Sequence, residues 1–148
     1  MYANNPRATF DYSILETFEA GLVLNGQEVK AIRQGKASIK GTYVKLIAKE
    51  LYLVGATISP YQPKNAKEDY EPQRNRPLLL TKKERDYLIE KSEESGLTLI
   101  PLKLYDAHGI IKLTIGIARG KKKGDKREAI IQRETERKIR RIKNIKSQ

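Results

Sequence analysis

The chain has 148 residues, with 30 Lys or Arg against 18 Asp or Glu, a net charge of +12, no cysteine and one histidine. That length builds one domain of ordinary size, and the residue inventory excludes disulfides, cysteine-based zinc sites, thiol nucleophiles and nearly all His-centred acid–base chemistry. The first residues lack an apolar run of signal-sequence type and no segment approaches the roughly 18 to 20 apolar residues of a membrane span, so a soluble cytoplasmic protein without a membrane partner is expected; a monomer without cofactor is the accompanying expectation.

From Phe10 to Leu24 the even positions Phe10, Tyr12, Ile14, Phe18, Ala20, Leu22 and Leu24 are apolar, which predicts a strand pair with one buried face. Glu16 breaks that face and Gly21 interrupts the run, so a bend or bulge is expected, as in a strand that curls into a barrel. Asn25 followed three residues later by Glu28 has the pattern of a capping box, with Val29 and Ile32 on one face and Gly35 as the stop, and predicts a short helix. Thr42 to Ile47 and Leu51 to Ile58 are β-rich runs around Ala48-Lys49-Glu50 and predict a hairpin closed off by Pro60. From Tyr61 to Pro77 three more prolines among charged residues predict a long surface loop, with order resuming at Leu78-Leu79-Leu80. Thr81 and Glu84 form a second capping box, and the helix that follows is expected from about Lys82 to Ser95, with Tyr87 and Leu88 inward. Leu97 to Tyr105 and Ile110 to Ala118 flank the turn Asp106-Ala107-His108-Gly109; Ile111, Leu113, Ile115 and Ile117 face one way, Lys112, Thr114 and Gly116 the other. About six short strands and two short helices without βαβ alternation predict a mainly β fold, a small antiparallel OB-like barrel over residues 1–118.

Residues 119–148 have a different composition. They hold 13 Lys or Arg against 4 acids, so they carry +9 of the +12 and leave the body at +3. A near-neutral domain with a basic arm is the footprint of a nucleic-acid partner, because each phosphate neutralised releases counterions. At about 100° per residue, Ile131, Thr135, Ile139, Ile142 and Ile145 form one stripe among Arg133, Arg137, Lys138, Arg140, Arg141 and Lys143. So sparse a stripe under so much like charge predicts a tail that is disordered alone and helical on a partner. A membrane surface is the weaker partner, since the stripe has no Trp, Phe or Leu.

Few single residues point to chemistry. His108 reads as an exposed turn residue, and Glu90, Glu93 and Glu94 as solvent-facing charge on a lysine-flanked helix. Tyr12, Tyr43 and Tyr52 read as core packing ahead of base-stacking platforms. Glu19, an acid between Phe18 and Ala20 in a basic protein, must face solvent or accept hydrogen bonds from a partner such as a base edge.

Glu16-Thr17-Phe18-Glu19-Ala20-Gly21-Leu22, Glu28-Val29-Lys30, Leu51-Tyr52-Leu53, Leu78-Leu79-Leu80, Gly116 to Lys122 and Asp125-Lys126-Arg127-Glu128 occur in an order that resembles the SsrA-binding protein (small protein B) family. The resemblance runs from about Asn5 to about Lys143. It implies an OB-type barrel that binds the tRNA-like part of transfer-messenger RNA and brings it, aminoacylated, to ribosomes stalled on truncated messages, with no catalysis of its own. The contact positions it implies are Asn5, Tyr12, Glu19, Leu79, Lys112, Arg119 and Gly120, with Lys121 and Lys122 at the joint to the tail. Lys112 and Arg119 suit phosphates, Glu19 and Asn5 suit sugar or base edges, and Leu79 offers an apolar contact. The tail is implied to enter the message channel of the small subunit near the decoding centre, through Asp125, Lys126, Arg127 and Ile142, with Arg133 among its basic residues.

Some positions depart from the family pattern. Pro6 stands for a basic residue, Ala31 for serine, Pro77 for lysine, Gly124 for a larger, often aromatic or histidine residue, Thr135 for tryptophan or another bulky group, and Lys143 for methionine. A structural ribosomal protein, an OB barrel with a basic arm buried in ribosomal RNA, is the alternative from another class.

Overall fold

The computed structural model describes residues 1–65 and 70–121. Strand β1 (Ala3–Asn4) is followed by one helical turn, α1 (Ala8–Asp11), and by β2 (Tyr12–Leu22). Phe10 therefore sits in α1, and the expected strand pair is one continuous strand of 11 residues. The bulge expected near Glu16 is present: pairing shifts between Ile14 and Glu16, so Leu15 is an extra residue and the alternation changes phase. That splits the even-numbered stripe. Phe18, Ala20 and Leu22 turn to the main core, whereas Tyr12 and Ile14 pack in a smaller cluster on the opposite, outer face. Gly21 is no bulge, because it pairs in register with both Lys112 and Leu79.

Helix α2 (Gly26–Arg33) begins with the predicted capping box: Asn25 Oδ1 accepts from the Glu28 N–H at 2.9 Å, and Glu28 Oε1 accepts from the Asn25 N–H at 3.0 Å. Strands β3 (Ala37–Ser38), β4 (Tyr43–Ile47), β5 (Glu50–Val54) and β6 (Thr57–Ile58) follow. The second hairpin arm is shorter than expected. Gly55, at φ +88°, breaks it, and β6 leaves to pair with β3. The β4–β5 loop consists of Ala48 and Lys49 at φ +49° and +68°, the pattern of a type I′ turn built from residues that dislike it. Replacing them by Asn and Gly (A48N/K49G) is expected to stabilise the protein by about 0.5–1 kcal/mol, read as a higher thermal midpoint.

The long loop ends earlier than the leucine triplet. Strand β7 (Arg76–Leu79) already includes Arg76 and Pro77. A proline is tolerated there because β7 pairs with β5 through Arg76 and Pro77 and with β2 through Leu78 and Leu79, and the Pro77 carbonyl accepts from Val23 N–H at 3.0 Å. Helix α3 (Lys82–Glu93) carries the Thr81–Glu84 capping box, and β8 (Leu97–Ala107) and β9 (Ile110–Gly120) form the longest hairpin around His108 and Gly109.

Among the described residues the main sheet has the order β1-β8-β9-β2-β7-β5-β4, antiparallel throughout, with β3-β6 as a separate pair. Its hydrogen-bonded order is open, yet it curls until β4 comes near β8, which gives the expected OB-like shape. Leu113 and Ile115 of β9, Ala20 of β2, Leu53 of β5, Ile32 of α2 and Leu88 of α3 fill the interior, each at most 1% exposed.

Among the described residues one buried cluster is ionic. Arg76, 0% exposed, donates from Nε to Glu28 Oε2 at 2.7 Å and from its other nitrogens to the carbonyls of Ala56, Arg74 and Pro72. Arg74 donates to Glu28 Oε1 at 2.6 Å and to Val23 O at 3.0 Å. Residues 72–76, read from sequence as loop, are thereby fastened to α2.

Candidate nucleic-acid interface

The outer face of β8, β9, β2 and β7 brings together residues far apart in sequence. Gly21 pairs with Leu79 on one side and Lys112 on the other, and Lys112 pairs with Tyr105, so Leu79, Gly21, Lys112 and Tyr105 form one row across four strands. At the usual inter-strand spacing that row is about 14 Å long. The next row is Glu19, Thr114 and Lys103. Leu79 is 57% exposed although apolar. The missing side chain of Gly21 lets it lie close, since a Cβ there would sit 3.1 Å from Leu79 Cβ.

Glu19 and Lys103 are exposed on this face, with Lys112, Thr114 and Tyr105 half-buried between them. The Tyr105 hydroxyl donates to Glu19 Oε1, and Lys103 Nζ lies 5.2 Å from the Tyr105 ring centroid. Burial, and after it the bond to Glu19, raise the Tyr105 hydroxyl above its ordinary pKa, so it stays a proton donor. Thr17, Glu19, Lys103, Tyr105 and Thr114 line a cleft of about 510 Å³. Its walls offer hydroxyls, an ammonium and one carboxylate, a donor and acceptor set suited to sugar and base edges.

The bulge in β2 extends the face. Because the phase changes at Leu15, Tyr12 and Ile14 join Thr17, Glu19 and Gly21, and Tyr12 pairs with Gly120 at the far end. Asn5 shares a cleft with Tyr12. Its N–H donates to Leu102 O at 2.9 Å and its side-chain amide to Pro101 O at 3.1 Å, so it staples the β8 bulge between Pro101 and Lys103. Lys121 is tied to α1 through its N–H to Asp11 O at 2.9 Å and its Nζ to Thr9 O at 2.8 Å. Tyr43, expected to pack, is 49% exposed and lines a cleft with Tyr12, Asn5 and Arg7 where β4 and β8 approach without pairing.

Of the predicted contact residues, then, Glu19, Leu79 and Lys112 share one patch, and Asn5, Tyr12, Gly120 and Lys121 form a second group along the same strands. Arg119 belongs with neither. It has the phase of Ile115 and Ile117 and opens into a small cleft beside Glu16, Tyr87, Lys91 and Glu94 of the α3 side. Lys122, Asp125, Lys126, Arg127, Arg133 and Ile142 lie outside the described residues, as do Gly124, Thr135, Lys143 and the isoleucine stripe. Reading residue by residue missed Lys103, Tyr105 and Thr17. The signal was countable, because a two-residue turn at His108-Gly109 opposes Ala107 to Ile110 and therefore Tyr105 to Lys112.

A curled antiparallel sheet with an open polar face, continued by a strongly basic segment, defines a small OB-like protein of the nucleic-acid-binding class. The family model described as SmpB protein matches residues 2–145. The SsrA-binding protein of Aromatoleum aromaticum is 49% identical over 144 residues, 97% of each chain. That of Thermosynechococcus vestitus is 45% identical over 94% of this chain and 91% of its own, and that of Listeria monocytogenes 44% identical over 95% and 91%. A chain from the solved structure described as "tmRNA-SmpB: a journey to the center of the bacterial ribosome" is 44% identical, with a TM-score of 0.66 over 86% of this chain and 92% of that one. The chain belongs to the SmpB family.

Proposed function

We propose that this protein is an RNA-binding adaptor of trans-translation. It binds the tRNA-like domain of transfer-messenger RNA and delivers it to stalled ribosomes in the cytoplasm, acting as a monomer and without catalysis of its own. The observation that carries this reading is the likeness, at 44% identity over most of both chains, to a chain of a tmRNA-SmpB structure in the bacterial ribosome. The described face supports it. Lys112 serves a phosphate, Glu19 a sugar or base donor and Leu79 an apolar contact, while Asn5, Tyr12, Gly120 and Lys121 continue the contact toward the tail; Arg119, which opens on the other face, and Lys122 join the proposed contact through the family resemblance alone. Residues 1–118 are the RNA-holding unit. Residues 119–148 engage the decoding centre and message channel of the small subunit, with Asp125, Lys126, Arg127, Arg133 and Ile142 among the contacts.

Gel-shift titration against the tRNA-like RNA and against an ordinary duplex of equal length tests this. Strong preference for the former is expected, and equal affinity for both overturns the reading. Replacing Lys112 by Ala is expected to weaken binding and to lower the slope of log K against log salt by about one, the signature of one lost phosphate contact.

A further inference from the structure

Glu19 is an acid at a surface built to receive a polyanion, and it needs a physical reason to point toward that polyanion. An unsupported glutamate there gains nothing from phosphates and loses rotamer freedom when a partner fixes it. Among the described residues Glu19 forms no ion pair, although Lys103 and Lys112 share its face. What holds it is Tyr105. That residue stands on β8, two strands away and so about 10 Å across the sheet. Its pairing with Lys112 sets its backbone one row from Glu19, and its side chain spans β9 to put the hydroxyl on Glu19 Oε1. Lys103 lies against the same ring.

We infer that Tyr105 is a positioning residue of the RNA interface: its hydroxyl fixes the Glu19 carboxylate over the cleft, so that Oε2 accepts a hydrogen bond from an N–H or O–H donor of the bound RNA. The inference rests on the adaptor function proposed above. It assigns a role to a residue that acts on the RNA through the orientation it imposes on Glu19. With Oε1 occupied and the carboxylate held in one orientation, the ordering cost is met before RNA arrives.

Tyr105→Phe removes the hydroxyl and keeps the ring. It is expected to weaken binding to the tRNA-like RNA about fivefold, the scale of one hydrogen bond. The salt slope should match wild type, since no phosphate contact is lost, and Tyr105→Phe should have no further effect in a Glu19→Ala background. A merely structural tyrosine would lower affinity equally in both backgrounds. Either that result or wild-type binding by Y105F overturns the inference. Failure of wild type itself to prefer the tRNA-like RNA overturns the adaptor reading instead, so the two failures are distinct. RNA with 2′-deoxy sugars identifies the donor: a penalty for Y105F that persists assigns the bond to a base N–H, and one that vanishes assigns it to a ribose hydroxyl.

Discussion

Replacing Glu28 by alanine is expected to destabilise the protein by about 3–5 kcal/mol, read as a lowered urea midpoint by circular dichroism. The size comes from what is left behind. Arg76 is 0% exposed, and without Glu28 its guanidinium is a buried charge facing only the carbonyls of Ala56, Arg74 and Pro72. The Asn25 N–H also loses its acceptor, so the capping box that starts α2 is half undone. Against a total stability of about 5–15 kcal/mol that loss is a large fraction of the whole. Removing charge and partner together, as in Glu28→Gln with Arg76→Met, should cost much less than Glu28→Ala. If Glu28→Ala costs under about 1 kcal/mol, the network contributes no more than a surface pair.

The same network sets a pH dependence. Burial pushes the Glu28 carboxyl up, but the bond from Arg74, the Asn25 N–H and the charge and bond of Arg76 together outweigh it and hold the pKa below the ordinary 4.5. A lowered folded-state pKa means stability that is present above the unfolded value and lost as pH falls through the folded one. Wild type is therefore expected to lose stability below about pH 4.5 by a component that Glu28→Gln lacks.

What the sequence disclosed and what it concealed differ by the range of the interactions involved. Both capping boxes, the β8–β9 hairpin and the alternation of Ile111, Leu113, Ile115 and Ile117 are local patterns, and the structure has them, with the hairpin turn tightened from four residues to His108-Gly109 because Asp106 and Ala107 pair within β8. Glu28 was legible as a cap, yet its partners Arg74 and Arg76 lie 46 and 48 residues away, inside a stretch whose prolines and charges have loop composition. No periodicity marks an arginine that satisfies its donors on carbonyls. The even-numbered stripe of β2 misled for a related reason: one bulge residue, Leu15, reverses the phase, and a phase reversal is visible only against the paired strand. At the interface, composition marked Glu19 as anomalous and the family resemblance supplied Leu79 and Lys112. Tyr105 needed the sheet register, because its tie to Glu19 crosses an intervening strand.

Deleting residues 125–148 is expected to leave affinity for the tRNA-like RNA largely intact while abolishing tagging on stalled ribosomes. The first half follows from where the body's contacts end. β9 runs to Gly120, Lys121 is fastened to α1 at Asp11 and Thr9, and the Glu19, Lys112 and Leu79 patch lies at the opposite end of the same strands. None of these depends on a residue after 124. The second half follows from charge. Residues 125–148 hold nine of the tail's Lys and Arg against 4 acids, enough to give a large salt-dependent attraction to ribosomal RNA. If those charges instead served the tRNA-like domain, the truncated protein would bind it with a much smaller salt slope, so equal slopes for full-length and truncated protein separate the two jobs. A truncated protein that still supports tagging, or one that loses its preference for the tRNA-like RNA, would sink the division of labour. Salt-washed ribosomes supply the complementary check, because an adaptor held by the tail's counterion release comes off at high salt, whereas a constituent buried in ribosomal RNA stays.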